Sequence, residues 1–219
     1  LNEWDVDLAV GCTYKYLNGG PGSPAFLYVR RDLQDALASP IQGWLGSRDP
    51  FAFGPDYAPA EGIARFGAGT PPILSLKALE PALEIVLEAG IDRIREKSVR
   101  LTDYLVFLHD QWLAPLGFSL GSPRASAARG SHVTLRHPES FRINRALIEA
   151  LPPAPAVLPD FRHPDNLRLG LAPLYNSFTE VRRAMERIRT VGHGDPLYGA
   201  PAREETAGTG LWQRVTLHV

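Results

Sequence analysis

Tyr14-Lys15-Tyr16 sets an amine between two phenols and between two short apolar runs, Leu8-Ala9-Val10 and Ala25-Phe26-Leu27-Tyr28-Val29. The 23 basic residues include only three lysines, Lys15, Lys77 and Lys97, so arginine is used wherever a simple cation suffices. Lys77 and Lys97 fall in segments of helical periodicity and read as surface charges. Lys15 lies in apolar surroundings, where burial favours a neutral amine, the state from which a lysine forms a Schiff base with a carbonyl. Spacing alone also supports a blander reading, a strand-end lysine that snorkels its amine to water.

Arg168 is the second candidate. In Leu167-Arg168-Leu169-Gly170-Leu171 a guanidinium interrupts an apolar, strand-like run, where an unpaired charge is costly, so an anionic partner is expected. That partner is either a ligand carboxylate gripped by the planar fork or a structural carboxylate. Other chemistries find little support. Gly19-Gly20-Pro21-Gly22-Ser23 lacks the Gly-Lys-Ser/Thr ending of a phosphate-binding P-loop. His132, His137 and His163 are scattered over strands and turns without a zinc-like set of partners, so no metal site is expected. No Ser-His-Asp set can be assembled from spacing.

The elements that must position these groups follow from periodicity. The two apolar runs around Lys15 read as short buried strands, and Asn18-Gly19-Gly20-Pro21-Gly22 as a tight turn that puts Lys15 at a strand end. Residues 30–37 offer a short amphipathic helix closed by Pro40. Residues 42–72 are rich in Gly and Pro and carry Trp44, Phe51, Phe53, Tyr57 and Phe66, a long loop whose aromatics predict packing and function. Taken alone, Trp44 is a hydrophobic anchor and Thr70, before Pro71-Pro72, a turn residue.

Residues 73–112 show helical spacing interrupted at Gly90, which predicts two helices with Asp92 capping the second. Strands are expected over 117–120, 132–135 and 167–171, with helices over 140–151 and 177–190. Ser177-Phe178-Thr179-Glu180 has the pattern of a capping box. Beyond residue 191 periodicity is lost, which reads as a disordered tail.

Composition bounds the class. With 219 residues, 44% of them hydrophobic, the chain has enough apolar side chains for a real core. A net charge of -1 with interspersed signs gives no basic stripe and argues against nucleic acid. No apolar run reaches the roughly 20 residues of a membrane span, and no signal-peptide pattern opens the chain, so a membrane partner is not expected. The single cysteine, Cys12, reads as a buried small residue with no disulfide, which suits a reducing cytoplasm.

The run Cys12-Thr13-Tyr14-Lys15-Tyr16-Leu17-Asn18-Gly19-Gly20-Pro21-Gly22 resembles the segment of kynureninases that carries their pyridoxal-phosphate lysine. Further stretches resemble the same family in the same order: Gly43-Trp44, Phe66-Gly67-Ala68-Gly69-Thr70-Pro71-Pro72, Arg129-Gly130-Ser131-His132-Val133 and Arg168-Leu169-Gly170-Leu171-Ala172-Pro173-Leu174-Tyr175. The resemblance runs from about Trp4 to about Ile188. It implies an α/β chain of the aspartate-aminotransferase-like fold. Residues 1–72 would end the cofactor-binding large domain, 73–190 would form linking helices and a small α+β domain, and 191–219 a tail. The opening strand, expected inside a doubly wound sheet, has no βα units before it, so the chain is expected to be a C-terminal part without most of the cofactor-binding domain.

The resemblance also implies site roles. Lys15 would be the Schiff-base lysine of pyridoxal 5'-phosphate. Tyr14, Trp44 and Thr70 would donate to its phosphate, with loops meeting across a homodimer; the motif match favours this role for Tyr14 over core packing with a locally satisfied hydroxyl. Arg168 would bind the substrate α-carboxylate. Gly69 and Thr70 fall where the family varies between kynurenine and 3-hydroxykynurenine, and lean towards kynurenine. The implied activity is hydrolysis of L-kynurenine to anthranilate and L-alanine, in tryptophan breakdown and NAD biosynthesis. A second expectation, of another class, is a catalytically silent fragment serving at most as an interaction module.

Overall fold

The computed structural model describes residues 2–150 and 156–194. By its contacts the chain divides after Ala89 into two units. The sequence expectation put a boundary after residue 72. The structure instead keeps the helix Ile73–Ala89 with the first unit, because Leu79, its buried residue, packs against the turn at Gly19.

In the first unit, β1 (Leu8–Cys12) and β2 (Ala25–Val29) pair antiparallel, Leu8 opposite Val29 and Cys12 opposite Ala25. The expected buried strands are present but mostly exposed: Val10 is 80% exposed, Leu8, Phe26 and Leu27 are also exposed, and of the apolar side chains Val29 is buried. A two-stranded ribbon leaves its apolar side chains in water unless another layer covers it, and among the described residues most of this ribbon is uncovered. Cys12, expected inside, is exposed for the same reason. A short helix α1 (Arg31–Gln34) follows.

The long segment expected as a loop over 42–72 holds single 3-10 turns at Trp44–Gly46 and Gly62–Phe66 and one antiparallel bridge between Ser47 and Pro59. Its aromatics pack only in part: Phe51 is 70% and Phe53 88% exposed, while Tyr57 and Phe66 are partly buried. Arg65 ties the segment down, its guanidinium group donating to the carbonyls of Ala60, Asp35 and Leu37 and to the Asp35 carboxylate. Helix α2 (Ile73–Ala89) closes the unit.

The second unit starts at a glycine with positive φ. Gly90 has φ 77, a left-handed conformation that glycine adopts without steric cost, and it caps α3 (Ile91–Leu108). Asp92, expected as the cap, instead lies in the first turn, where its charge complements the helix dipole. Helix α3 buries Ile94, Ser98, Leu101, Thr102, Leu105, Val106 and Leu108, one helical face, and runs into a π turn at His109–Leu113.

A four-stranded antiparallel sheet follows in the order β3-β4-β6-β5, formed by β3 (Ser119–Leu120), β4 (His132–Arg136), β5 (Asp160–Arg162) and β6 (Asn166–Gly170). Helix α4 (Ser140–Ile148) joins β4 to β5, and the end expected for it at Leu151 lies outside the described residues. Helix α5 (Phe178–Gly192) carries the expected capping box at Ser177 and Glu180. It extends through Val191 and Gly192, beyond the expected end, while the tail from residue 195 lies outside the described residues.

Strand alternation divides this sheet into two faces. Val133, Leu135, Leu167 and Leu169 point into a core shared with Leu101, Leu105, Ile143, Leu147, Val181, Met185 and Ile188 from α3, α4 and α5. Thr134, Arg136, Asp160, Arg162, Asn166 and Arg168 occupy the opposite, polar face.

Candidate active site

β1 ends at Cys12, and the chain turns back through a bonded loop. Gly19 N–H donates to Thr13 O at 3.0 Å and Asn18 N–H to Lys15 O at 2.9 Å. The buried Thr13 hydroxyl donates to Pro24 O, and the Ser23 hydroxyl to Gly19 O. Asn18, Gly20 and Gly22 all have positive φ, which fits the Asn-Gly-Gly-Pro-Gly composition. A Cβ on Gly19 would stand 2.7 Å from Leu79 Cδ1, so the turn is docked on α2 by a glycine.

Lys15 projects from this turn. Its side chain is exposed, and its Nζ lies 5.1 Å from the centroid of the Tyr14 ring, which is itself half exposed. The expected apolar burial of Lys15 is not found among the described residues, because the ribbon that carries it is open on its faces.

Trp44, Gly69 and Thr70 come together by backbone packing. A Cβ on Gly43 would fall 1.6 Å from Ala68 O, so the two loop segments touch main chain to main chain. The indole Nε1 of Trp44 then lies 4.0 Å from where a Cβ of residue 69 would be, with the exposed Thr70 next in sequence. An indole N–H and a hydroxyl are thus held near each other, with a glycine leaving the space beside the indole open.

Arg168 lies in the second unit, on the polar face. It was expected in apolar surroundings, but alternation sends its neighbours Leu167 and Leu169 into the core and leaves its own side chain 40% exposed. Its anionic partner within the chain is Asp160, opposite it in the β5–β6 register, which accepts from Arg168 Nη2. Arg162 also donates, through Nε, to Asp160 Oδ2 at 3.0 Å.

Three buried or polar groups of this unit were missed by sequence reasoning. Arg129, with its side chain 1% exposed, donates to the Asp103 carboxylate, the carbonyls of Pro123 and Arg124 and the Thr102 hydroxyl. His109 is buried, with Nδ1 2.9 Å from Asp110 Oδ1 and Nε2 3.2 Å from Phe118 O. Arg124 grips Asp110 with two bonds of 2.8 Å and, together with His109, holds its carboxyl well below the usual carboxylate range. These clusters pin the π turn and the loop before β4. Among the described residues no group of His, Cys, Asp and Glu could hold a metal ion, and no helix is long and apolar enough to cross a membrane.

Residues 1–135 match the aminotransferase class-V family. The chain belongs to that family. Residues 94–188 of this class-V chain also match the kynureninase C-terminal domain. A kynureninase of Pseudomonas fluorescens is 43% identical over 186 residues, covering 85% of this chain and 44% of the relative. The class-V chain therefore spans less than half the length of that curated relative.

Among solved structures, the apo cysteine desulfurase of Thermococcus onnurineus NA1 superposes with a TM-score of 0.72 at 20% identity, covering 88% of this chain and 48% of that one. A C-DES K223A mutant with glycine covalently linked to its PLP cofactor gives 0.66 at 18% identity, covering 86% and 47%. At these identities the likeness shows the shared fold. By their chemistry two separate groups fit parts of a phosphate-bearing aldehyde: the Lys15 amine beside the Tyr14 phenol on a hydrogen-bonded turn suits the aldehyde end, and the Trp44 indole N–H near Thr70 on paired loops supplies donors of the kind a phosphate takes.

Proposed function

We propose that this chain is part of a pyridoxal-phosphate-dependent hydrolase that cleaves L-kynurenine to anthranilate and L-alanine. The observation that carries the reading is the 43% identity to a curated kynureninase over 85% of the chain, supported by the kynureninase-type C-terminal match over 94–188. Bound in such a site, pyridoxal phosphate supplies an electron sink for charge that develops at the substrate α-carbon.

The residues take the following roles. Lys15 would hold the cofactor covalently and would move the α-proton of the substrate; it stands on a hydrogen-bonded turn beside the Tyr14 ring. Tyr14, Trp44 and Thr70 donate to the phosphate. Gly69 leaves the edge of the Trp44 indole open, which suits an aromatic substrate. Arg168 binds the α-carboxylate, its half-exposed fork being accessible to an anion. Water would add to the substrate γ-carbonyl; scission of the Cβ–Cγ bond would release anthranilate and leave the electron pair on Cβ, which takes up a proton to give L-alanine.

The proposed form is a cytoplasmic homodimer in which this chain is completed to the relatives' length. Exposed Val10, Phe51 and Phe53 are surfaces that such a completion and a second subunit would cover, and the free Cys12 thiol suits a reducing compartment. A silent interaction module is not favoured, because the similarity runs through both units rather than through one docking face.

Release of anthranilate, followed by its fluorescence when the full-length, cofactor-loaded protein is given L-kynurenine, tests the reading. Turnover with an equal yield of L-alanine is expected. Cofactor bound at Lys15 without any anthranilate would assign the chain to another class-V reaction.

A further inference from the structure

Two guanidinium groups converge on one carboxylate oxygen on the polar face of the four-stranded sheet. Arg168 Nη2 donates to Asp160 Oδ2, and Arg162 brings both Nε and Nη2 to 3.0 Å from the same atom. The register explains the meeting. Asp160 is the cross-strand partner of Arg168, and Arg162, two residues along β5, projects from the same face. Thr134 of β4 stands opposite Arg168 on its other side, so the row across the sheet reads Thr134, Arg168, Asp160.

Stability is a weak reason for this arrangement. The Arg168 and Asp160 side chains are 40% and 42% exposed, and ion pairs so open to water contribute little to folding. Orientation is a better one. An arginine on a flexible stem grips a carboxylate with two parallel bonds only when its plane is fixed, and a bond to a neighbouring strand removes that search before a ligand arrives. Asp160 engages Arg168 through one terminal nitrogen, and no other group among the described residues accepts from this guanidinium. Arg162 neutralises Asp160, so the three side chains together keep one net positive charge and an incoming carboxylate is attracted.

We propose that Asp160 is a positioning residue that fixes the Arg168 guanidinium for the substrate carboxylate, with Arg162 as its counter-cation. The inference rests on the reading of Arg168 as the carboxylate-binding group.

The test uses the full-length, cofactor-loaded protein with the variants Asp160→Ala, Asp160→Asn, Asp160→Glu and Arg168→Lys. Four quantities are measured: kcat and KM for L-kynurenine, the inhibition constant of L-alanine, the binding of decarboxylated kynurenine, and the melting temperature. Asp160→Ala is expected to raise the KM and the L-alanine constant together by about tenfold, with kcat within about twofold and melting little changed. Asp160→Asn should fall between alanine and wild type, Asp160→Glu should recover part of the loss, and binding of the decarboxylated amine should not move. A lower melting temperature with KM and the L-alanine constant unchanged would make the cluster a structural bridge and overturn the proposal. A KM that falls in Asp160→Ala would overturn it too, by making Asp160 a competitor of the substrate. Arg168→Lys separates the two levels of the argument. If it leaves KM unchanged, the role of Arg168 itself is lost; if it raises KM while the Asp160 variants do not, only the positioning role is.

Discussion

Gly43 and Ala68 meet backbone to backbone, so closely that a Cβ on Gly43 would lie 1.6 Å from the Ala68 carbonyl oxygen. No side-chain rotation relieves such a clash, because the atoms it meets belong to the main chain. Gly43→Ala is therefore expected to part the segments that carry Trp44 and Gly69-Thr70 and to destabilise the protein by about 1–3 kcal/mol. Thermal melting and equilibrium dialysis of pyridoxal phosphate check this together. Unchanged melting and unchanged cofactor affinity would show that the close approach is not maintained in solution.

Lys15 is expected to be the residue that carries the cofactor. Borohydride reduction of the loaded protein, then peptide mapping, should find the pyridoxyl group on Lys15. The other two lysines lie on the helices α2 and α3, and Lys77 is already paired with Glu80 at 2.8 Å. An adduct on Lys77 or Lys97 with Lys15 unmodified would reject the assignment.

Local rules made parts of this molecule readable. The helical spacing over 73–112, with its break at Gly90, and the capping-box pattern at Ser177 and Glu180 are local signals that the structure repeats. The turn after Lys15 is encoded by its own glycines and asparagine. What could not be read depends on neighbours far away in sequence. An apolar strand such as Leu8–Cys12 looks buried in any sequence, yet its exposure is set by whether another layer lies upon it. The Asp160 to Arg168 pair was hidden because β5, at three residues, is too short to display alternation. Arg129 reads as one arginine among 20, and only the loop folded around it shows that its side chain is enclosed.

The capping box of α5 gives the protein an acid-sensitive joint. Glu180 Oε2 accepts from Ser177 N–H at 2.7 Å and from the Ser177 hydroxyl at 3.0 Å, which hold its carboxyl below its ordinary value. A carboxylate lowered on folding stabilises the native state fully above its unfolded pKa, and that contribution disappears as pH falls through the folded value. Melting temperature should therefore drop between neutral and acid pH less steeply in Glu180→Gln than in wild type. Ser177→Ala, which removes the acceptor for Glu180 N–H, should cost about 1 kcal/mol at neutral pH. Parallel melting curves for wild type and Glu180→Gln across the acid range would contradict this account.

Arg129 and Arg168 should respond in opposite ways to the same substitution. Arg129 is enclosed and spreads its donors over the Asp103 carboxylate, the Thr102 hydroxyl and two carbonyls. A lysine there keeps the charge but has no planar fork to reach these acceptors together, so buried oxygens lose their donors. Arg129→Lys is expected to destabilise by about 1–3 kcal/mol, the cost of leaving enclosed acceptors without donors, and to leave the KM of the surviving folded protein near its original value. Arg168 is half exposed and tied to Asp160 through one nitrogen, so Arg168→Lys should scarcely move the melting temperature. If Arg168 takes the substrate carboxylate, that variant loses a charge-assisted bidentate contact of about 1.5–3 kcal/mol, roughly a ten- to hundredfold fall in kcat/KM carried mainly by KM. Melting and kinetics measured on the same preparations decide the matter. A fall in stability for Arg168→Lys with KM unchanged would place both arginines in the scaffold and neither at the substrate.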